Sequence, residues 1–253
     1  RVLQSGKPEE YVREWLAGHL DQPGSRTINT TAPFLSVLEL RQRGGQRYLD
    51  LCEQRARFCM AEAARADEGA FEHTVIGLDQ GFRSQIWADT LFMASLFLAR
   101  WGKASGNGMY LEEAVRQLKL HYAYLSDPKT GLMFHAYNCA DRSHLSAVRW
   151  GRANVWGIHA CFRIHEQLPE GHPAAPEIRG LVLRHLEALV KVQEADRALR
   201  YLLGKVAPDG EVLGCSGGTP VMASPAEYDR IPMVMSYYGQ GLAMLTLIET
   251  LAE

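Results

Sequence analysis

Ile86 to Ala99 read IWADTLFMASLFLA. Apart from Asp89 and the small hydroxyl residues Thr90 and Ser95, every position is apolar, so no polar face is left for water. In a water-soluble chain such a stretch is a helix packed on every side. Tyr110 to Leu125, YLEEAVRQLKLHYAYL, has a different pattern: Leu111, Val115, Leu118, Tyr122 and Leu125 recur at helical spacing, and the charges fall between them. It reads as an amphipathic outer helix, covered on one side only. An inner helix followed by an outer one is the unit of a two-layer helical fold.

The unit recurs. SGKPEEYV, RGGQRYLD and SGNGMYLE each set a glycine (Gly6, Gly44, Gly106) at a turn that ends one helix and a tyrosine (Tyr11, Tyr48, Tyr110) at the start of the next buried stripe. Helices are predicted near 8–20, 33–43, 46–65, 85–101, 109–125, 149–167, 173–194 and 231–251. Strand signals are weak. The pattern predicts an all-α chain of α/α-barrel type, whose inner ring is covered on both sides. It forms a single domain over residues 1–253, with the Pro-rich EQLPEGHPAAPE as a helix connection. Long loops at 72–84, 131–147 and 210–232 gather polar residues, and a pocket is expected there.

Composition narrows the partners. With 27 basic and 29 acidic residues and no basic cluster, the chain offers no footprint for nucleic acid or an anionic membrane. No apolar run approaches the roughly 20 residues needed to span a bilayer, and Arg1 opens no signal-peptide pattern. Cys52, Cys59, Cys139, Cys161 and Cys215 are odd in number and scattered, which predicts buried free thiols and a reducing, cytoplasmic setting.

Three constellations carry chemistry. Asp89 is a carboxylate in an apolar helix. Burial raises its pKa and favours a protonated acid, and Ser84 is the expected N-cap of its helix. A purely structural aspartate bonded to backbone or a tryptophan fits the same pattern. WGRANVW, Trp150 to Trp156, combines stacking faces at Trp150 and Trp156, a bidentate carboxylate clamp at Arg152 and an amide at Asn154, a set suited to a sugar acid but also to core packing. TGLMFHAYN contributes His135. No His/Cys/Asp set has metal-ligand spacing, so neither metal nor cofactor is expected. The glycines of GCSGG around Ser216 suit a loop that closely approaches a ligand.

Taken in order, INTTAP from Ile28, GAFEHT, QIWADTLFMA, DPKTGLMFHAYN, WGRANVW and YYGQGLAMLTLIE resemble the family 105 glycoside hydrolases, the unsaturated rhamnogalacturonyl hydrolases, related to the family 88 unsaturated glucuronyl hydrolases. The resemblance implies an (α/α)6-barrel with a pocket at one mouth and Asp89 as general acid and base. It also implies that His73, His135, Trp150, Arg152 and Trp156 line the substrate site, that Ser216 contacts the sugar acid, and that Asn29 is a further contact. The reaction implied is hydration of the C4=C5 bond of an unsaturated uronic acid at the end of an oligosaccharide, which needs one acid/base rather than a flanking pair.

The chain departs from this family in two respects. Where relatives read RGNGW, it has Arg152-Ala153-Asn154-Val155-Trp156, and side chains in place of both glycines would make a bulkier turn that narrows the pocket. About eight helices are read where the full barrel has twelve, with a helical hairpin missing between Glu194 and GCSGG. Either the chain is a shortened relative that is poorly stable alone, or a partner, such as a second copy in a homo-oligomer, covers the exposed helices. A sugar-acid binding homologue without catalysis would keep Trp150 and Arg152. A helical protein-interaction scaffold would need no buried acid.

Overall fold

Gly102 has no side chain because Leu111 leaves no room for one: a Cβ there would lie 2.8 Å from the Leu111 backbone nitrogen. Two helices meet at this point, α3 (Leu96–Ser105) and α4 (Gly108–Leu125). Gly106, at φ 74°, ends α3 in the left-handed conformation, and the Asn107 side chain caps α4 by accepting from the Met109 amide at 3.1 Å. The computed structural model describes residues 26–77, 82–192, 202–208, 212–214, 224–228 and 230–232, with isolated positions 10, 13, 14 and 18.

The other pairs repeat this arrangement. α1 (Phe34–Gly44) packs on α2 (Gln46–Ala61), with Gly45 at φ 65° between them, and α5 (Gly151–His165) packs on α6 (Ala175–Val192). The turn therefore falls on Gly45, one residue after the glycine expected. α3 touches α1, α2, α4 and α5 and is the inner helix of the set. From Ile86 to Ala99 every residue except the half-buried Phe92 is buried, as the apolar run predicts. The α4 stripe, Leu111, Val115, Leu118, Tyr122 and Leu125, is buried in full. Cys52, Cys59, Cys139 and Cys161 are buried free thiols, while Cys215 lies outside the described residues. The helix read near 8–20 is described only at 10, 13, 14 and 18, all helical, and most of the one read near 231–251 lies outside the described residues. Among the described residues no helix is long and apolar enough to cross a membrane.

The segment read as one helix over 85–101 is three elements. Gln85–Trp87 form β1, paired antiparallel with β2 (Ala136–Asn138), helical geometry starts at Asp89, and Leu91–Ser95 form a π-helical turn leading into α3. Ser84, at φ 60°, caps no helix. An Ile-Trp pair suits a strand as well as a helix, and here the partner strand from a distant loop decides. The RANVW segment is likewise no turn. It lies in the first turns of α5, where Ala153 is buried and Val155 is exposed. On α6, Leu183, Leu186 and Val190 are exposed.

Candidate active site

β1 acts as a bracket with a histidine on each edge. On one side the His73 amide donates to the Gln85 carbonyl at 2.9 Å; on the other the Ala88 amide donates to the His135 carbonyl at 3.1 Å. Asp89 follows at once, at the first helical position, where the helix dipole favours its ionised form. The result places His135 Nε2 3.4 Å from Asp89 Oδ2. At that separation the two groups are in polar contact without a well-formed hydrogen bond, and Asp89 Oδ2 has no hydrogen-bond partner among the described residues.

Aromatic rings surround the carboxylate. His73 stacks on Trp87 with centroids 4.5 Å apart and planes 7° apart, and its Nδ1 pairs with the Thr90 hydroxyl at 3.0 Å. Trp87 meets His135 edge-on at 5.0 Å, His135 lies 4.4 Å from Trp150, and the Arg152 guanidinium sits 3.9 Å above the Trp150 ring. Phe82 closes on Trp87 at 4.6 Å. Trp156 packs on Phe92 at 4.6 Å, and its indole nitrogen is buried with no hydrogen-bond partner among the described residues.

Burial alone would push the Asp89 carboxyl up. The contact with His135 and the nearby His73 and Arg152 outweigh it and hold the group below the ordinary carboxylate value. Burial, which by itself favours a protonated acid in the apolar helix, is thus outweighed by neighbours that the local sequence does not show. His73 is pushed down to about 4 by burial, despite the opposing pull of Asp89, and is neutral at pH 7.

His73, His135, Trp150 and Arg152 therefore lie together near Asp89. Trp156 lies one helical turn beyond Arg152, against the Asp89 helix. Asn29 lies further along that helix: its amide donates to Met93 Sδ at 3.7 Å, and its backbone is tied to the Thr74 carbonyl at 3.0 Å. Ser216 lies outside the described residues. Asn154 is not a ligand contact; it is 1% exposed and bonded to protein on all sides. Motif reading passed over Trp87, Phe82, Phe92 and Thr90, although Trp87, Thr90 and Phe92 stand beside Asp89 in QIWADTLFMA. Among the described residues no group of His, Cys, Asp and Glu is arranged to hold a metal ion.

With this geometry in hand, comparison with known proteins is decisive. Glycosyl Hydrolase Family 88 matches residues 4–197. The chain belongs to that family. The family 88 chain is 30% identical, over 294 residues covering 99% of it and 86% of the relative, to the unsaturated rhamnogalacturonyl hydrolase YesR of Bacillus subtilis. That aligned span exceeds the 253 residues of the family 88 chain, so the relative has internal segments that this chain lacks. It is 36% identical over 112 residues, 44% of its length and 27% of the relative, to an unsaturated 3S-rhamnoglycuronyl hydrolase of an Alteromonas strain. Among solved structures, a Salmonella enterica protein described as a possible member of the GH105 family superposes with a TM-score of 0.90 at 26% identity, covering 99% of this chain and 79% of that one. A Klebsiella pneumoniae protein described in the same words gives 0.89 at 27%, covering 99% and 78%. The fold is the α/α-barrel type of these enzymes, and the chain is a glycoside hydrolase.

Proposed function

We propose that the chain hydrates the C4=C5 bond of an unsaturated glucuronyl or galacturonyl residue at the end of an oligosaccharide, with Asp89 as general acid and base. The observation that carries this reading is the buried Asp89 carboxylate set among His73, His135, Trp150 and Arg152. Ordinary glycoside hydrolysis needs two carboxylates across the bond, whereas protonation of an enol ether needs one.

Asp89 rests as a carboxylate. The substrate's own carboxylate brings a like charge beside it, which favours the protonated form, while Arg152 takes up the uronate with its planar fork. Asp89 then gives its proton to C4, water adds at C5, and the carboxylate left behind takes a proton from that water. The product is a hemiketal at C5. Its bond from C5 to the ring oxygen breaks to leave a ketone, and the hemiacetal so formed at C1 releases the neighbouring sugar as its free hydroxyl. Trp150, whose ring lies between His135 and Arg152, borders the sugar ring, while the buried Trp156 backs Phe92 behind it. Proton transfer by a positioned group contributes about 10²–10⁴-fold.

The test is loss of the ultraviolet absorbance of the unsaturated bond when purified protein is mixed with a panel of unsaturated disaccharides of glucuronyl and galacturonyl type. Loss of absorbance with release of the second sugar is expected. Binding of these disaccharides without loss of absorbance would make the chain a sugar-acid binding homologue instead.

A further inference from the structure

Asn154 has two hydrogen-bond acceptor sites and two donor hydrogens, and the fold uses all four. Its Oδ1 accepts from the Met133 amide at 2.7 Å and from His185 Nε2 at 3.0 Å; its Nδ2 donates to the Met133 carbonyl at 3.1 Å and to the Trp150 carbonyl at 2.9 Å. The side chain thus pairs with both backbone groups of Met133 as a neighbouring strand would, two residues before His135. It also holds the carbonyl of Trp150, the residue whose ring lies 4.4 Å from that of His135. Gly157, one turn further along α5, leaves the space that the Met133 side chain fills.

The far side of the amide is also anchored. His185, on α6, is 1% exposed and is pushed down to about 4 by burial, so it is neutral and carries one ring hydrogen at pH 7. Because Asn154 Oδ1 is an acceptor, that hydrogen is on Nε2. His185 Nδ1 is then an acceptor and takes the Tyr122 hydroxyl hydrogen at 2.9 Å. The chain Tyr122, His185, Asn154 joins α4, α6 and α5 and ends on the backbone of Met133, two residues before His135, and on the carbonyl of Trp150.

We propose that Asn154 is a positioning residue: by fixing Met133 and the Trp150 carbonyl, it sets His135 and Trp150 against Asp89. This rests on the hydrolase reading for its consequence in turnover, but not for the placement itself. No other side chain satisfies the four bonds. Aspartate would turn oxygen toward two carbonyls, and glutamine is one methylene too long for the site.

The experiment follows the ring protons of His135 by NMR in the full chain, assigned by their loss in His135→Gln. Flanked by Trp87 and Trp150, they carry large ring-current shifts. In Asn154→Asp they should move toward the values of an exposed histidine, while the His73 signals, held by Thr90 and Trp87, stay in place. Turnover should fall by about 100-fold, the order expected when a reacting group is misplaced by about 1 Å. Since Asn154→Asp can fail to fold, His185→Leu and His185→Gln carry the same test. Leucine removes the donor to Asn154, whereas glutamine supplies an amide hydrogen in its place, so only His185→Leu should shift the His135 signals and slow turnover, by about tenfold. Unmoved His135 signals in folded Asn154→Asp or His185→Leu protein, or moved signals with unchanged turnover, would overturn the proposal. The shifts are read without substrate. A wild-type chain that turns over no unsaturated uronide would thus remove the hydrolase reading, while displaced His135 signals would still support the placement by Asn154.

Discussion

His135 reaches Asp89 through the backbone: its carbonyl accepts the amide hydrogen of Ala88 at 3.1 Å, and its Nε2 ends 3.4 Å from Asp89 Oδ2. The acid and its partner are thus held by one extended pairing, β1 on β2, that continues one step past its last regular register of Trp87 with Ala136. A side chain fixed in this way loses little freedom when substrate arrives, which is the condition for efficient proton transfer.

Asp89→Asn should abolish turnover while an unsaturated uronide still binds. Asparagine is nearly isosteric and keeps its hydrogen-bonding capacity, yet its amide cannot deliver a proton to C4 or take one from water. Turnover, affinity and melting temperature measured on the same preparations separate chemistry from structure. Retention of more than about a tenth of wild-type turnover would mean that another group supplies the proton.

Arg152→Lys should weaken uronide binding by about 10- to 100-fold, the range for a charged hydrogen-bonded contact worth about 1.5–3 kcal/mol. Lysine keeps the charge but loses both the fork that matches a carboxylate and the planar group that now lies 3.9 Å over the Trp150 ring. Titration calorimetry gives the affinity. An unchanged value in a folded variant would remove Arg152 from the uronate site.

Acid should destabilise the fold well above the carboxylate range. His73, His121 and His185 are each pushed down to about 4 by burial, whereas in the unfolded chain they titrate near 6.5. Between these values the unfolded state binds protons that the native state refuses. Stability is therefore complete above pH 6.5 and is lost as pH falls toward 4. Each group contributes a slope of up to about 1.4 kcal/mol per pH unit, so the three together approach about 4. That is large against a typical domain stability of about 5–15 kcal/mol. Urea unfolding at pH 7.5, 6.5 and 5.5 should show the loss, and equal stabilities at all three would show that the histidines stay unprotonated in both states or protonate in both.

Gly102→Ala should destabilise the chain by about 1–3 kcal/mol, despite the better helix propensity of alanine, which is worth about 1 kcal/mol. The added Cβ would meet the Leu111 backbone nitrogen at 2.8 Å, and a backbone atom inside a helix cannot swing aside as a side chain end can. For a chain of this size the melting temperature should fall by roughly 2–4 °C per kcal/mol. A variant that melts at or above the wild-type temperature would show that α3 and α4 slide apart at little cost.

Much of the architecture follows from periodicity alone. An all-apolar run such as Leu91 to Ala99 can only be buried, and the stripe from Leu111 to Leu125 can only face a core, because the hydrophobic effect acts on each helix face whatever its neighbour is. Asp89, His135, Trp150 and Arg152 stood out as candidates for a related reason, as polar or ring-bearing groups in apolar or turn-rich surroundings, whereas His73 became a candidate only through the family resemblance.

Three matters were settled only in the tertiary structure. Gln85 to Trp87 became strand rather than helix because hydrogen-bond partners came from a loop far along the chain, and local propensity does not distinguish the two for so short an apolar stretch. The Asp89 carboxyl lies below its ordinary value although burial raises it, because His135, His73 and Arg152 act against burial, and no local pattern encodes their distances. Asn154, within a motif that suggests a sugar contact, turned inward to bond Met133, Trp150 and His185. An amide satisfies its hydrogen bonds with substrate or with backbone equally well, and only the packing of α5 against α6 and the loop before β2 decides between them.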